Sequence, residues 1–287
     1  MAHDHATLAD DLAKMMATAA SRRQTLRWLF AGAAALPLAG CGGSGGSAAT
    51  SDSAASTSTS EGSTGTGSTG ATSCSVIPEE TGGPYPGDGT NRNAGGVVNA
   101  LVLSGIVRSD IRASVAGASG VAQGIPLTIR LQLVNVAANC AAAAGAAVYL
   151  WHCTREGGYS MYSSGIANEN FLRGVQEADA QGVVTFQTIF PGCYDGRMPH
   201  VHFEVYPALD KATKASNRVK TSQFAFPLAT LDEAYASSGY AASVANLARI
   251  SYASDNVFSD GTALQMASVT GNATQGYVAT LTVGVSL

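Results

Sequence analysis

The stretch Tyr194-Asp195-Gly196-Arg197-Met198-Pro199-His200-Val201-His202-Phe203 decides how this chain is read. From Pro199 onward His200 and His202 fall on one face of a strand and Val201 and Phe203 on the other, because strand side chains repeat every second residue. The apolar face needs a second layer to cover it, and two imidazoles one residue apart can close on one metal ion. Glu204 shares the histidine face, so a ferrous site of two histidines and one carboxylate is one way to complete such a centre.

Outward from this segment, short apolar alternations bounded by Gly, Asn, Asp and Pro recur. They predict strands over residues 101–108, 127–134, 147–153, 183–189, 200–206, 221–226 and 277–285. The fold class is therefore mostly β, a β-sandwich of antiparallel or mixed sheets with short helical excursions. Helical spacing is confined to residues 231–240, where Leu231, Ala234 and Tyr235 share a face, and 244–250. The Ala-rich stretch 137–147 has no amphipathic pattern and reads as a loop. No internal repeat is present.

The chain divides into three parts. Ser21-Arg22-Arg23-Gln24-Thr25-Leu26 resembles a twin-arginine export signal, and the apolar run from Trp28 to Leu38 is too short for a stable membrane span. That run ends in Leu38-Ala39-Gly40-Cys41, which resembles a lipoprotein signal-peptidase box and makes residues 1–41 a signal with Cys41 as the lipidated residue. Residues 42–73 are almost entirely Gly, Ser, Thr and Ala, the composition of a flexible linker. Residues 74–287, about 210 in number, suit one domain. The expected location is the cell envelope, reached by the twin-arginine route and held through a lipid anchor.

Cys74, Cys140, Cys153 and Cys193 remain for disulfides in an oxidising compartment. Cys140 and Cys153 flank a predicted strand that separates them, so the favoured pairs are Cys153 with Cys193 and Cys74 with Cys140. With a formal charge of -4 and few lysines, the chain offers no basic face for nucleic acid.

Two tyrosines extend the histidine pair. Tyr194 closes the turn Phe190-Pro191-Gly192-Cys193-Tyr194, and Tyr159 follows the strand end Trp151-His152-Cys153 through a Gly-containing loop. Loops at one end of a sandwich converge readily. A phenol stays protonated at neutral pH unless a highly charged cation draws the proton off, and hard anionic oxygen favours ferric over ferrous iron. Tyr162 follows the same Gly-Gly turn and rivals Tyr159 for this role. His152 reads as a surface or second-layer residue, and Asp255-Asn256-Val257-Phe258 as a turn without chemistry.

The order Trp151-x7-Tyr159, Arg173-Gly174-Val175-Gln176, Asp179-x-x-Gly182-x-Val184-x-Phe186-x-Thr188-Ile189-x-Pro191-Gly192-x-Tyr194 and Arg197-x-x-His200-x-His202-Phe203 resembles the intradiol ring-cleavage dioxygenases. Protocatechuate 3,4-dioxygenase and catechol 1,2-dioxygenase are their best-known members. Glu79-Glu80-Thr81-Gly82-Gly83-Pro84-Tyr85 is similar to the family's Thr-x-Gly-Pro-Tyr lead-in, so the resemblance spans most of residues 79–206. It implies a non-haem ferric iron held by Tyr159, Tyr194, His200 and His202 with a solvent hydroxide. By the same resemblance, Arg197 faces the substrate ring and Gln223 supports the site.

The implied reaction takes a catechol-type diol and O2 to a cis,cis-muconate-type diacid, with both oxygen atoms inserted and Tyr194 leaving the metal to take up a proton. Two departures stand out. Only Asp195 and Gly196 separate Tyr194 from Arg197, where the well-known cytosolic members carry a longer loop. A signal and linker stand in place of a helical dimerisation segment, as in the exported branch of the family. The alternatives are a non-catalytic envelope lipoprotein that binds a ligand or partner, and a metalloenzyme of other chemistry using Glu204.

Overall fold

The computed structural model describes residues 74–287. The twin-arginine segment, Cys41 and the linker 42–73 lie outside the described residues. In chain order the strands are β1 (Asp88–Asn93), β2 (Gly96–Asn99), β3 (Pro126–Asn135), β4 (Ala141–Ala142), β5 (Ala147–Trp151), β6 (Arg173–Glu177), β7 (Val183–Ile189), β8 (His200–Tyr206) and β9 (Lys220–Ala225). Helices α1 (Leu228–Tyr235) and α2 (Ala241–Leu247) precede β10 (Ser268–Asn272) and β11 (Gly276–Val285).

Alternation builds two sheets. In β3, Leu127, Ile129, Leu131 and Leu133 are buried while Arg130 and Gln132 are exposed, the pattern of a strand with one face in a core. β3 pairs in parallel with β11 and antiparallel with β7 and β4, and β10 closes the far edge, so this sheet is mixed. The second sheet is antiparallel in the order β6-β5-β8-β9. Val148, Leu150, Val201, Phe203, Val205 and Phe224 of this sheet share one apolar cluster with the β3, β7 and β11 residues of the first, which makes the molecule a β-sandwich.

The four-stranded sheet is buried on both faces: β5 at all five positions and β8 at all seven. Its outer face, which carries Tyr149, Trp151 and the two histidines, is covered by loops. Ala100, Leu101, Ile106, Tyr159 and Ala212 form a second cluster there with Tyr149 and Trp151. β1 and β2 form a separate antiparallel hairpin.

Six of the seven predicted strands are present within a few residues of their expected bounds. The exception is 101–108, which runs in turns closed by Leu103 N to Ala100 O and Ile106 N to Leu103 O. Its apolar residues are the cover of the outer face rather than one face of a strand. β6 went unpredicted because burial on both faces removes the alternation, and β1, β2 and β10 because Gly and Asn interrupt them; β4 is two alanines inside the 137–147 stretch expected to be a loop. The helices begin three residues earlier than expected, since Pro227 stands directly before α1 and fixes its start. The residues that α1 buries are Leu231, Ala234 and Tyr235, as the spacing indicates.

Cys74 and Cys140 form a disulfide with Cα atoms 5.8 Å apart. The expected bridge between Cys153 and Cys193 is absent, and both thiols are free and buried. They belong to different clusters, Cys153 to the outer and Cys193 to the inner. Each sulfur is instead turned onto a backbone carbonyl, Cys153 Sγ to Gly192 O at 3.4 Å and Cys193 Sγ to Arg197 O at 3.5 Å. Burial pushes both thiols up to about 12. Among the described residues no helix is long and apolar enough to cross a membrane.

Candidate active site

Two loops at one end of the sandwich are laced together by glycines. A Cβ on Gly192 would lie 2.3 Å from Arg155 O, so only glycine lets the 190–194 turn lie against the loop after β5, where its N–H donates to Thr154 O at 3.1 Å. From that loop Gly157, at φ +91°, faces Tyr194, whose Cβ would be 2.9 Å from an added methyl. This lacing sets the Tyr159 and Tyr194 rings edge to face with centroids 5.9 Å apart.

At the start of β8 the histidine pair meets them. His200 Nε2 lies 3.0 Å from His202 Nε2 and 3.2 Å from the Tyr194 hydroxyl. His200 Nδ1 is 2.6 Å from Met198 O, and because a carbonyl only accepts, Nδ1 carries the proton and Nε2 presents a lone pair. Trp151, opposite His202 in the β5–β8 register, stacks on its ring at 4.9 Å and 2°. From the other side Gly83, at φ +70°, approaches so closely that a Cβ would be 3.3 Å from His202 Cε1. The lead-in segment thus lies directly over the histidine.

Burial, before the neighbouring His and Arg charges, holds both imidazoles well below their usual range, so both are neutral. Burial likewise raises Tyr194 to about 12 against the pull of Arg197, and raises Tyr159 well above an ordinary phenol. The Tyr159 hydroxyl is buried beside that of Tyr194, with no other hydrogen-bond partner among the described residues. Tyr162 is different, since its hydroxyl donates to Asn91 Oδ1 at 2.5 Å and accepts from Gly87 N at 2.9 Å. Its hydrogen bonds lead away from the histidines.

Arg197, only 4 % exposed, is fixed on three sides. Its Nε donates to Asp255 Oδ2 at 2.9 Å and its Nη2 to Gln223 Oε1 at 2.8 Å, while its Nη1 reaches 3.5 Å from His200 Nε2. Burial works against its charge, but Tyr194 and Asp255 outweigh it and keep the guanidinium cationic. Gln223 pairs with His202 across β8 and β9 and donates to Thr81 O at 2.8 Å, so it ties Arg197 to the lead-in segment.

Of the two places expected for His152, the structure gives the second layer: it is buried, with Nδ1 against Cys153 O at 2.8 Å and Nε2 against Thr188 Oγ1 at 2.7 Å. Two other expectations change. Asp255 is not a bare turn residue, since it is fully buried on Arg197. Glu204 shares the histidine face but accepts from the Tyr206 hydroxyl at 2.6 Å and pairs with Arg218 at 3.6 Å. Among the described residues no group of three His, Cys, Asp or Glu side chains stands ready for a metal. The remaining donors beside the histidines are phenols.

Arg173 stands in the family-like motifs without a role of its own there, yet its guanidinium donates to Pro86 O at 2.8 Å, Tyr85 O at 2.9 Å and Ser160 O at 3.0 Å. It thereby joins the lead-in segment to the loop that carries Tyr159. An arginine opening a strand gave no sign of this.

Two phenol and two imidazole donors without a carboxylate make a set of hard oxygen and borderline nitrogen, suited to a trivalent ion that can deprotonate the phenols. The buried Tyr159 hydroxyl and the two close Nε2 atoms are the features such an ion would satisfy, so the residues fit ferric iron.

Residues 109–216 match the Dioxygenase_C family model, described as a dioxygenase. That stretch contains Tyr159, Tyr194, Arg197, His200 and His202, while Gln223 and Asp255 lie beyond it. The solved intradiol ring-cleavage dioxygenase from Tetranychus urticae is similar in fold, with 26 % identity, a TM-score of 0.56, and coverage of 74 % of this chain and 95 % of that one. A second solved dioxygenase covers the same shares at 25 % identity and a TM-score of 0.57. No curated protein matches the chain.

Proposed function

We propose, from the match to a dioxygenase family model and the likeness to a solved intradiol ring-cleavage dioxygenase, that this chain cleaves catechol-type diols between their hydroxyls, using O2 and a non-haem ferric iron. Tyr159, Tyr194, His200 and His202 would hold the iron. The observation that carries this reading is the buried, carboxylate-free meeting of the Tyr194 hydroxyl and two imidazole Nε2 atoms beside the Tyr159 hydroxyl. Bound iron supplies a Lewis acid and template for the deprotonated diol and for dioxygen.

The chain's own residues do the rest. Tyr194, whose burial disfavours a phenolate without a cation beside it, would be the group that takes a proton from an arriving diol. Arg197, clamped by Asp255 and Gln223, is a preorganised cation that stabilises negative charge developing on the ring. Trp151 and Gly83 hold the His202 ring between them, and the lead-in segment and the loop around Tyr159 keep water from the site. The two-residue spacing of Tyr194 and Arg197 leaves the identity of the diol to experiment.

The reading extends to location: the twin-arginine segment would export a folded, metal-loaded protein, and a lipid on Cys41 would hold it in the envelope at the end of the linker. Cys41→Ser is then expected to move the protein from the membrane fraction to the soluble fraction, and an unchanged distribution would remove the anchor from the proposal. Activity is tested by giving iron-loaded protein catechol, protocatechuate and hydroxyquinol while following oxygen uptake and ring-opened product. Uptake matched by diacid formation is expected with at least one of them. No uptake with any diol favours a non-catalytic lipoprotein that binds a ligand or partner.

A further inference from the structure

We propose that Asp255 is a positioning residue that sets two reactive groups at once: it aims the Arg197 guanidinium and fixes which ring nitrogen His200 presents. The inference rests on the reading of the site as an iron-dependent dioxygenase, and it adds a residue outside the stretch that matches the family.

Asp255 is fully buried, and each of its oxygens has two donors. Oδ1 accepts from Val257 N at 2.8 Å and Phe258 N at 3.1 Å, which folds its own turn and makes the carboxylate a fixed point. Oδ2 accepts from Arg197 Nε at 2.9 Å and from Met198 N at 2.7 Å. With Nε on Asp255 and Nη2 on Gln223, the planar guanidinium has one orientation left, the one that sends Nη1 toward His200 Nε2.

The second effect runs through Met198. Its N–H is held by Asp255, and its carbonyl takes the His200 Nδ1 proton at 2.6 Å. A carboxylate therefore reaches the histidine through one backbone residue, and outer partners of this kind decide how a ligating imidazole is oriented. The same turn supplies Phe258, whose ring lies 5.8 Å from the Arg197 guanidinium carbon and 6.5 Å from the His200 ring. A buried ion pair is weakly justified by stability, since apolar residues of similar volume often serve as well. Contact with both a substrate-facing cation and a ligand histidine gives this one a use.

The test compares Asp255→Asn with the parent, alone and in an Arg197→Met background. The readouts are steady-state kinetics and iron release to a chelator from the ferric-loaded full-length protein. Asp255→Asn is expected to lower kcat by about 10- to 100-fold with KM changed less than about threefold, and to speed iron release about tenfold. In the Arg197→Met background its effect on kcat should shrink to less than about threefold, because coupled residues are not additive, while the faster iron release persists. Equal kcat losses in both backgrounds, or unchanged kcat and iron release, overturn the proposal. Asp255→Glu, which keeps the charge and shifts it by one methylene, should show the same dependence on Arg197 at smaller amplitude, and it replaces Asp255→Asn if that variant does not fold. If the parent binds iron but turns over no diol, the dioxygenase reading fails, while iron release still decides whether Asp255 acts on His200.

Discussion

Val201, Phe203 and Val205 on one face of β8 and His200, His202 and Glu204 on the other are all 2 % exposed or less, yet different means bury them. A second sheet covers the first three. The others lie under loops held down by a few polar residues: Arg173 on Tyr85, Pro86 and Ser160, and Gln223 on Thr81. The inner face makes the fold, and the outer face is built on it to keep polar groups dry. Substitutions on the inner face should therefore read out in stability and those on the outer face in chemistry.

The largest contrast comes from neighbours on one strand. Phe203→Ala should cost about 3–5 kcal/mol in chemical denaturation, because it empties a fully buried inner position. His202→Ala should cost the metal-free protein less than that while abolishing iron binding and activity. Equal stability losses would erase the distinction between the faces.

Next in size is the covalent tie at the edge of the mixed sheet, where residues 76–77 lie along β11 and Cys140 follows β3. The Cys74–Cys140 bridge spans 66 residues, for which loop entropy gives about 4 kcal/mol. Replacing both with Ser should lower the melting temperature, with faster hydrogen exchange concentrated in residues 75–77 and 139–142 beside the ends of β3 and β11. Exchange that rises equally in β8 would extend the bridge's effect to the sheet that carries the site.

Smaller again is the difference between two tyrosines. Tyr162→Phe loses two hydrogen bonds and should cost about 1–2 kcal/mol while iron-loaded protein keeps its colour. Tyr159→Phe loses at most a contact with the Tyr194 hydroxyl and should cost less stability than Tyr162→Phe while removing most of the colour. The reverse pattern would make Tyr162 the ligand. The smallest effect is none at all: Cys153 and Cys193, buried and raised to about 12, should not react with a thiol reagent at pH 8 until the protein is unfolded. Their absence as thiols after unfolding would restore the bridge expected from sequence.

What the sequence disclosed follows the same division. Strands with one apolar and one polar face, such as β3 and β7, were legible because alternation records a core on one side. β6 was not, since both its faces are covered, and 101–108 misled because Leu101 and Ile106 are apolar for the sake of the cover. In the site, the two histidines, Tyr159, Tyr194, Arg197 and Gln223 were visible through spacing and resemblance. Asp255 was not, and Arg173 and Trp151 stood in the family-like motifs without a role, because all three act through contacts between segments far apart in the chain.

The visible spectrum of the ferric-loaded, full-length protein probes the four-residue centre most directly. Phenolate bound to ferric iron absorbs visible light, so the protein should be wine-red and lose most of that band in Tyr159→Phe. A protein that binds iron fully and stays colourless would contradict it.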